Sequence, residues 1–152
     1  MSERPPRVRR AARILLTDER DRLLLFRFTP RPGQVWWVTP GGECEPDEDW
    51  VDGARRELLE ETGIAIADPG PIVARRSESF VMFTGEAIVS EERYFRVRVA
   101  SCAIDTSGHT ELEQRAMVEH RWFTRAELND WHETIYPAEL PDLALREVAI
   151  GN

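Results

Sequence analysis

Apolar positions in this chain alternate in short runs, except in one long polar stretch where they recur at helical spacing. Arg10–Leu16 and Arg22–Phe28 read as two strands, with 17–21 as the polar turn between them. Residues 29–33 read as a loop and Val35–Val38 as a short strand, after which Pro40-Gly41-Gly42 should interrupt regular structure. The spacing then changes. Asp49 can cap a helix, Gly63 can end it in the left-handed conformation, and Val51, Ala54 and Leu58 fall on one face. Strand patterns resume at Ile72–Arg76, Ser79–Phe83 and Tyr94–Ala100; in the last, Phe95, Val97 and Val99 alternate with Tyr94, Arg96 and Arg98. His120–Phe123 is a further strand, Thr124 and Glu127 have capping-box spacing and open a helix toward Trp131, and Pro141–Ile150 fits a final helix. Helices and strands mix throughout, which predicts a single α/β (α+β) domain over residues 1–152 with residues 1–6 as a flexible arm.

Composition narrows the function classes. At 152 residues and 41% hydrophobic, the chain can bury one core, while its longest apolar runs are far too short to cross a bilayer. The basic residues near Met1 are followed by no apolar segment, so a secretory signal is not expected and the cytoplasm is. Twenty basic and 28 acidic residues give a net charge of −8, which disfavours duplex nucleic acid as a partner. Every basic residue is arginine, so Schiff-base and P-loop lysine mechanisms are excluded. Cys44 and Cys102 read as reduced thiols, and neither has zinc-ligand spacing with His109, His120 or His132.

The informative segment is Arg56-Glu-Leu-Leu-Glu-Glu-Thr-Gly63. It places Glu57, Glu60 and Glu61 within an arc of roughly 100°, beside the stripe expected to face the core. Like charges three and four residues apart cost a helix roughly 0.2–0.5 kcal/mol per pair, and the C-terminal end is the unfavourable one for anions. Local stability therefore does not account for the cluster, whereas a hard divalent cation would.

Gly42, five residues, Glu48, seven residues, Arg56-Glu57-Leu58, one residue, Glu60-Glu61, one residue, Gly63-Ile64 resembles the Nudix box at every defined position. The resemblance spans residues 42–64, with looser agreement from the two strands before it and from His120–Thr124 and Glu127-Leu128 after it. It implies a Nudix fold, a mixed β-sheet sandwiched between helices. It also implies a MutT-like, Mg²⁺- or Mn²⁺-dependent hydrolase cleaving a pyrophosphate bond in a small-molecule nucleotide: a nucleotide sugar, an ADP-ribose-like compound or a normal or oxidised nucleoside triphosphate. Glu57, Glu60 and Glu61 would then hold metal, assisted by the carbonyl of Gly41 and by an acid outside the box. Among Glu91, Glu92, Glu111, Glu113 and Glu119, we select Glu113 from its position upstream of His120-Arg121-Trp122. Glu57 is also the choice to orient or deprotonate the attacking water. Arg56 joins it in the catalytic set, supporting the box with Glu48 by ion pairing, and Gly42 and Gly63 serve backbone geometry.

For substrate binding the candidates are Trp36, Trp37, Tyr94 and Arg96, with Phe80 as a further ring and Arg75, Arg76, Arg93 and Arg98 as further phosphate contacts. No subfamily marker follows the box, where Ser79, Phe80, Val81 and Met82 stand. A homodimer is compatible with the resemblance. Two other readings compete: a non-catalytic regulatory domain that binds nucleotide, and an RNA-end pyrophosphohydrolase. Retention of every box glutamate weighs against the first, and a net charge of −8 against a long RNA footprint in the second.

Overall fold

A computed structural model describes residues 5–82, 84–100, 104–117 and 119–145. The first four residues of the expected arm, Phe83, Cys102 and the end of the expected last helix lie outside the described residues. The elements are β1 (Arg7–Thr17), β2 (Leu23–Phe28), β3 (Trp36–Val38), β4 (Gly41–Glu43), α1 (Trp50–Thr62), β5 (Ile72–Val81), β6 (Ala87–Arg98), α2 (Glu111–Ala116), β7 (Glu119–Phe123), α3 (Arg125–Asn129), β8 (Thr134–Ile135) and α4 (Leu140–Leu145).

One mixed sheet runs β5-β6-β1-β2-β3-β8, with β4 added to β1 and β7 to β2. Its centre is β1, which pairs parallel with β6 from Arg7↔Ile88 to Thr17↔Arg98 and antiparallel with β2 and β4. Alternation along β1 divides the interior in two. Ala12, Ile14 and Leu16 join Leu24, Phe26, Phe95 and Val97 under Ala54 and Leu58 of α1. On the other face, Leu15 packs with Leu23, Leu25, Trp37, Tyr94 and Phe123 beneath Leu128 and Leu140. The sheet is thus layered between α1 and the short C-terminal helices, as expected.

The structure departs from the sequence pattern in several places: α2 and β8 have no counterpart in it, and β6 starts at Ala87 instead of Tyr94. Pro40-Gly41-Gly42 does not end regular structure, because Gly41–Glu43 forms a strand whose register is Ala11↔Glu43, Ala12↔Gly42 and Arg13↔Gly41. The runs at 72–76 and 79–83 belong to one strand through Val81, held in register by its partners on β6 despite the polar Arg75–Ser79 stretch. Val51 lies on the exposed side of α1, and Gly53, not Val51, is buried with Ala54 and Leu58. The caps of α1 follow the sequence: the Asp49 side chain accepts from the Asp52 N–H, and Gly63 is left-handed at φ 77°.

Candidate active site

The Glu57 and Glu61 side chains lie on the buried side of α1, directed at β4. The glycines of β4 make this approach feasible. A Cβ on Gly42 would stand 2.8 Å from Glu57 Oε1, and one on Gly41, whose φ is 134°, would be driven into the backbone of Ala12 and Arg13. The Gly41 N–H donates to Glu61 Oε2 at 2.8 Å, tying strand to helix.

A third carboxylate comes from α2. Glu57, Glu61 and Glu113 each place an oxygen within 4.8 Å of the others. Glu113 also closes a capping box: its Oε1 accepts the Thr110 N–H at 2.9 Å, and Thr110 Oγ1 accepts the Glu113 N–H at 3.2 Å. Gly108 and His109 register α2 on the last turn of α1. Gly108 packs on the Glu60 backbone, and His109 Nε2 lies 2.9 Å from the Glu61 carbonyl oxygen.

Three clustered acids with little cationic compensation are electrostatically strained. Burial, reinforced by Glu60 and Glu113, pushes the Glu57 carboxyl up to about 7, against the pull of Arg56. Burial likewise raises Glu61 well above the carboxylate range, with its hydrogen bond to Glu113 and the charge of Glu57 adding to the effect. Glu113 moves the other way: burial alone would raise it, but hydrogen bonds with Glu61 and Thr110 outweigh that. Carboxylate oxygens are the donors that Mg²⁺ or Mn²⁺ prefers, and a bound cation would relieve this strain, so the residues present fit such an ion.

Glu60 stands outside the trio, its side chain 41% exposed at the pocket rim. Arg56 links the whole segment. Its Nε and Nη2 grip both oxygens of Glu48 at 2.8 Å, and Nη1 reaches Glu57 Oε1 at 3.1 Å and Glu60 Oε2 at 3.2 Å. Arg10 pins the preceding loop through the carbonyls of Glu45 and Glu48. The other candidate acids are engaged elsewhere. Glu111 pairs with Arg115, Glu91 with Arg93, and Glu119 lies near Arg27. Glu92 does line the pocket, but Arg13 and Arg76 take its oxygens.

The carboxylates open into a pocket of ≈ 720 Å³. Trp36 lines it, 37% exposed and stacked on Phe28 with centroids 6.3 Å apart. Phe80 and Val81 supply another apolar part of the wall, with Met117 and Tyr136 also present. Trp37, Tyr94 and Arg96 are not among the described lining residues, which corrects the sequence expectation. Trp37 is 2% exposed, donating from Nε1 to Glu133 at 2.9 Å, and Tyr94 is 1% exposed in the second core. Arg96 lies further along β6, opposite Leu15 of β1. Arg9 and Arg13 of β1 reach the pocket instead; neither is among the sequence candidates, because β1 starts three residues before the expected Arg10 and its pairing with β4 was not expected.

The sequence profile of the NUDIX domain matches residues 7–143. The chain belongs to the Nudix family. Among its relatives, the uncharacterized Nudix hydrolase YvcI of Bacillus subtilis (strain 168) is 39% identical over 82 residues, covering 54% of this chain and 47% of that protein. The m7GpppN-mRNA hydrolase NUDT17 of Bos taurus is 57% identical over 30 residues, covering 20% of this chain and 10% of that protein. The matches thus span about half the length of the first relative and a tenth of the second. The crystal structure of a MutT protein from Methanosarcina mazei Go1 superposes with a TM-score of 0.65 at 22% identity, covering 93% of this chain and 94% of that one, a likeness of fold. Within this Nudix chain no described helix is long and apolar enough to cross a membrane.

Proposed function

We propose that the chain is a divalent-metal-dependent pyrophosphohydrolase acting on a nucleoside diphosphate derivative. The observation that carries this reading is the convergence of Glu57, Glu61 and Glu113 at a pocket whose wall includes the half-open Trp36. Mg²⁺ or Mn²⁺ held there would neutralise phosphate charge and acidify a bound water. Glu57, Glu61 and Glu113 would hold the ion, with the Gly41 carbonyl beside them and Glu60 on the rim. Glu57, buried at the pocket and held by Arg56 Nη1 at 3.1 Å, is placed to orient and deprotonate the attacking water. Trp36 would stack on the base, backed by Phe28.

The test is Mg²⁺-dependent product release from ADP-ribose, nucleotide sugars, dinucleoside polyphosphates, normal and oxidised nucleoside triphosphates, and capped RNA, with Glu61→Gln alongside. Capped RNA earns its place because the bovine relative is named for that substrate. Turnover of one compound, lost in the variant, supports the reading. Binding of nucleotide with no turnover of any compound favours a regulatory domain instead. With the substrate in hand, Trp36→Ala should raise KM more than it lowers kcat, and Trp37→Ala should act mainly on stability; an unaltered KM in Trp36→Ala rejects stacking.

A further inference from the structure

Arg13 is a pocket cation that the box pattern does not contain. It projects from β1 opposite Gly41, and its side chain is 16% exposed. Its Nη1 donates to the Gly41 carbonyl at 3.3 Å and its Nε to Glu92 Oε2 at 3.4 Å. Both contacts are long for N–H···O hydrogen bonds, which usually fall at about 2.7–3.2 Å. The short contact to Glu92 belongs to Arg76, at 2.5 Å. Arg76 is in turn held by Glu78 and Glu139, so Glu92 stays paired whatever Arg13 does. Burial works against the charge on Arg13, and Glu92 first, with smaller contributions from Glu61 and Glu57, holds it cationic.

These contacts put the Gly41 peptide between two partners, with its N–H on Glu61 and its carbonyl on Arg13. In the metal-site reading above the same carbonyl oxygen is a donor to the ion held by Glu57, Glu61 and Glu113, and two cations cannot share it without repulsion. We propose that Arg13 is a place-holding cation on the Gly41 carbonyl that yields it to the metal and then turns to an oxygen of the substrate's pyrophosphate. The inference rests on the metal-site reading above. The displacement breaks only long contacts, and the released guanidinium remains inside the pocket with a geometry that matches phosphate oxygens. Arg13 thereby opposes metal binding in the absence of nucleotide and favours the two together.

The experiment measures Mn²⁺ binding by calorimetry without nucleotide, then binding of methylenediphosphonate, a non-hydrolysable pyrophosphate, at saturating Mn²⁺. Arg13→Gln should tighten Mn²⁺ binding about fivefold by removing a nearby like charge, and weaken the diphosphonate about tenfold through loss of a paired contact. Arg13→Lys keeps the charge, so it should bind Mn²⁺ as the parent does while still binding the diphosphonate less well. Mn²⁺ affinity that is unchanged or weaker in Arg13→Gln overturns the place-holding role, and unchanged diphosphonate affinity in both variants overturns the phosphate role. Should Arg13→Gln fail to fold, Arg13→Met carries the metal measurement. Glu57→Gln separates this inference from its premise. If that variant binds Mn²⁺ like the parent, the metal site itself is wrong; if it loses Mn²⁺ while Arg13→Gln gains nothing, only the role of Arg13 fails.

Discussion

Two helices bring acids to the same point, and they are held there by different means. α1 is 13 residues long, capped at both ends, and buries Ala54 and Leu58 against the sheet, so Glu57 and Glu61 are positioned by the core itself. α2 is six residues long, with Glu111, Gln114 and Arg115 exposed, and Glu113 sits at its third position as half of a capping box. A carboxylate fixed by a core can be moved only by disturbing the fold. One fixed by a cap can be moved by a single hydroxyl. Glu113 is therefore the adjustable member of the trio, and α2 the part of the site expected to open first.

The largest effect should come from setting the two helices against each other. Glu61→Gln removes a carboxylate that is 1% exposed and accepts the Gly41 N–H, and turnover should fall on the order of a thousandfold. Glu113→Gln leaves both α1 acids in place and should cost about tenfold to a hundredfold. Equal losses from the two variants would erase the distinction between the helices. Circular dichroism should show the fold retained in both.

A second effect is read from pH. Glu57 titrates near 7 in the fold, above its ordinary value, so the neutral form is the one the metal-free protein favours. The stability this contributes is complete below the ordinary carboxylate range and is lost as pH rises through about 7. Melting temperature in EDTA should therefore fall between pH 5 and 8, and Glu57→Gln should flatten the decline. Mg²⁺ should restore more stability at pH 8 than at pH 6, because the charged acids bind it. Glu127 and Glu133, both held down to about 2 by hydrogen bonds to Thr124 and Arg27 respectively, contribute stability lost only at acid pH, so they leave this window undisturbed. A melting temperature that is flat or rising from pH 5 to 8 in EDTA would contradict the raised titration of the buried acids.

The same contrast explains what could be read from the sequence. α1 was legible from Asp49 to Gly63 because caps and helical periodicity are local, and the box spacing fixed which of its glutamates matter. β4 was not, because two glycines after a proline normally end a strand; here the Glu57 carboxylate occupies the space a Gly42 side chain would need, and the β1 backbone the space at Gly41. Tyr94 and Trp36 look alike in sequence, yet Tyr94 is 1% exposed in the second core while Trp36 is 37% exposed at the pocket. Period-two alternation distinguishes the faces, and nothing local says which stretch of a face is open. Thr110 with Glu113 carried a readable capping-box spacing, a signal that would have placed Glu113 on a helix of its own.

The smallest predicted effect isolates the contrast most cleanly. Asp49→Ala and Thr110→Ala each remove one N-terminal cap, a loss worth about 1 kcal/mol at either helix. In a domain of this size that lowers the melting temperature by about 2–4 °C in both. Their consequences for the site should nevertheless diverge. Asp49 lies at the far end of α1 from Glu57 and Glu61, which the core continues to hold, so Mn²⁺ affinity should be unchanged. The Thr110 hydroxyl accepts from the Glu113 N–H while the Thr110 N–H donates to the Glu113 carboxylate, so removing the hydroxyl loosens the first turn of α2 that sets the carboxylate in place. Mn²⁺ affinity in Thr110→Ala should drop severalfold at the same cost in stability, and Thr110→Ser should restore it, since serine supplies the same oxygen. Matching metal affinities in the two alanine variants would show that α2 is held by its contacts with α1 through Gly108 and His109, and that the cap contributes only to stability.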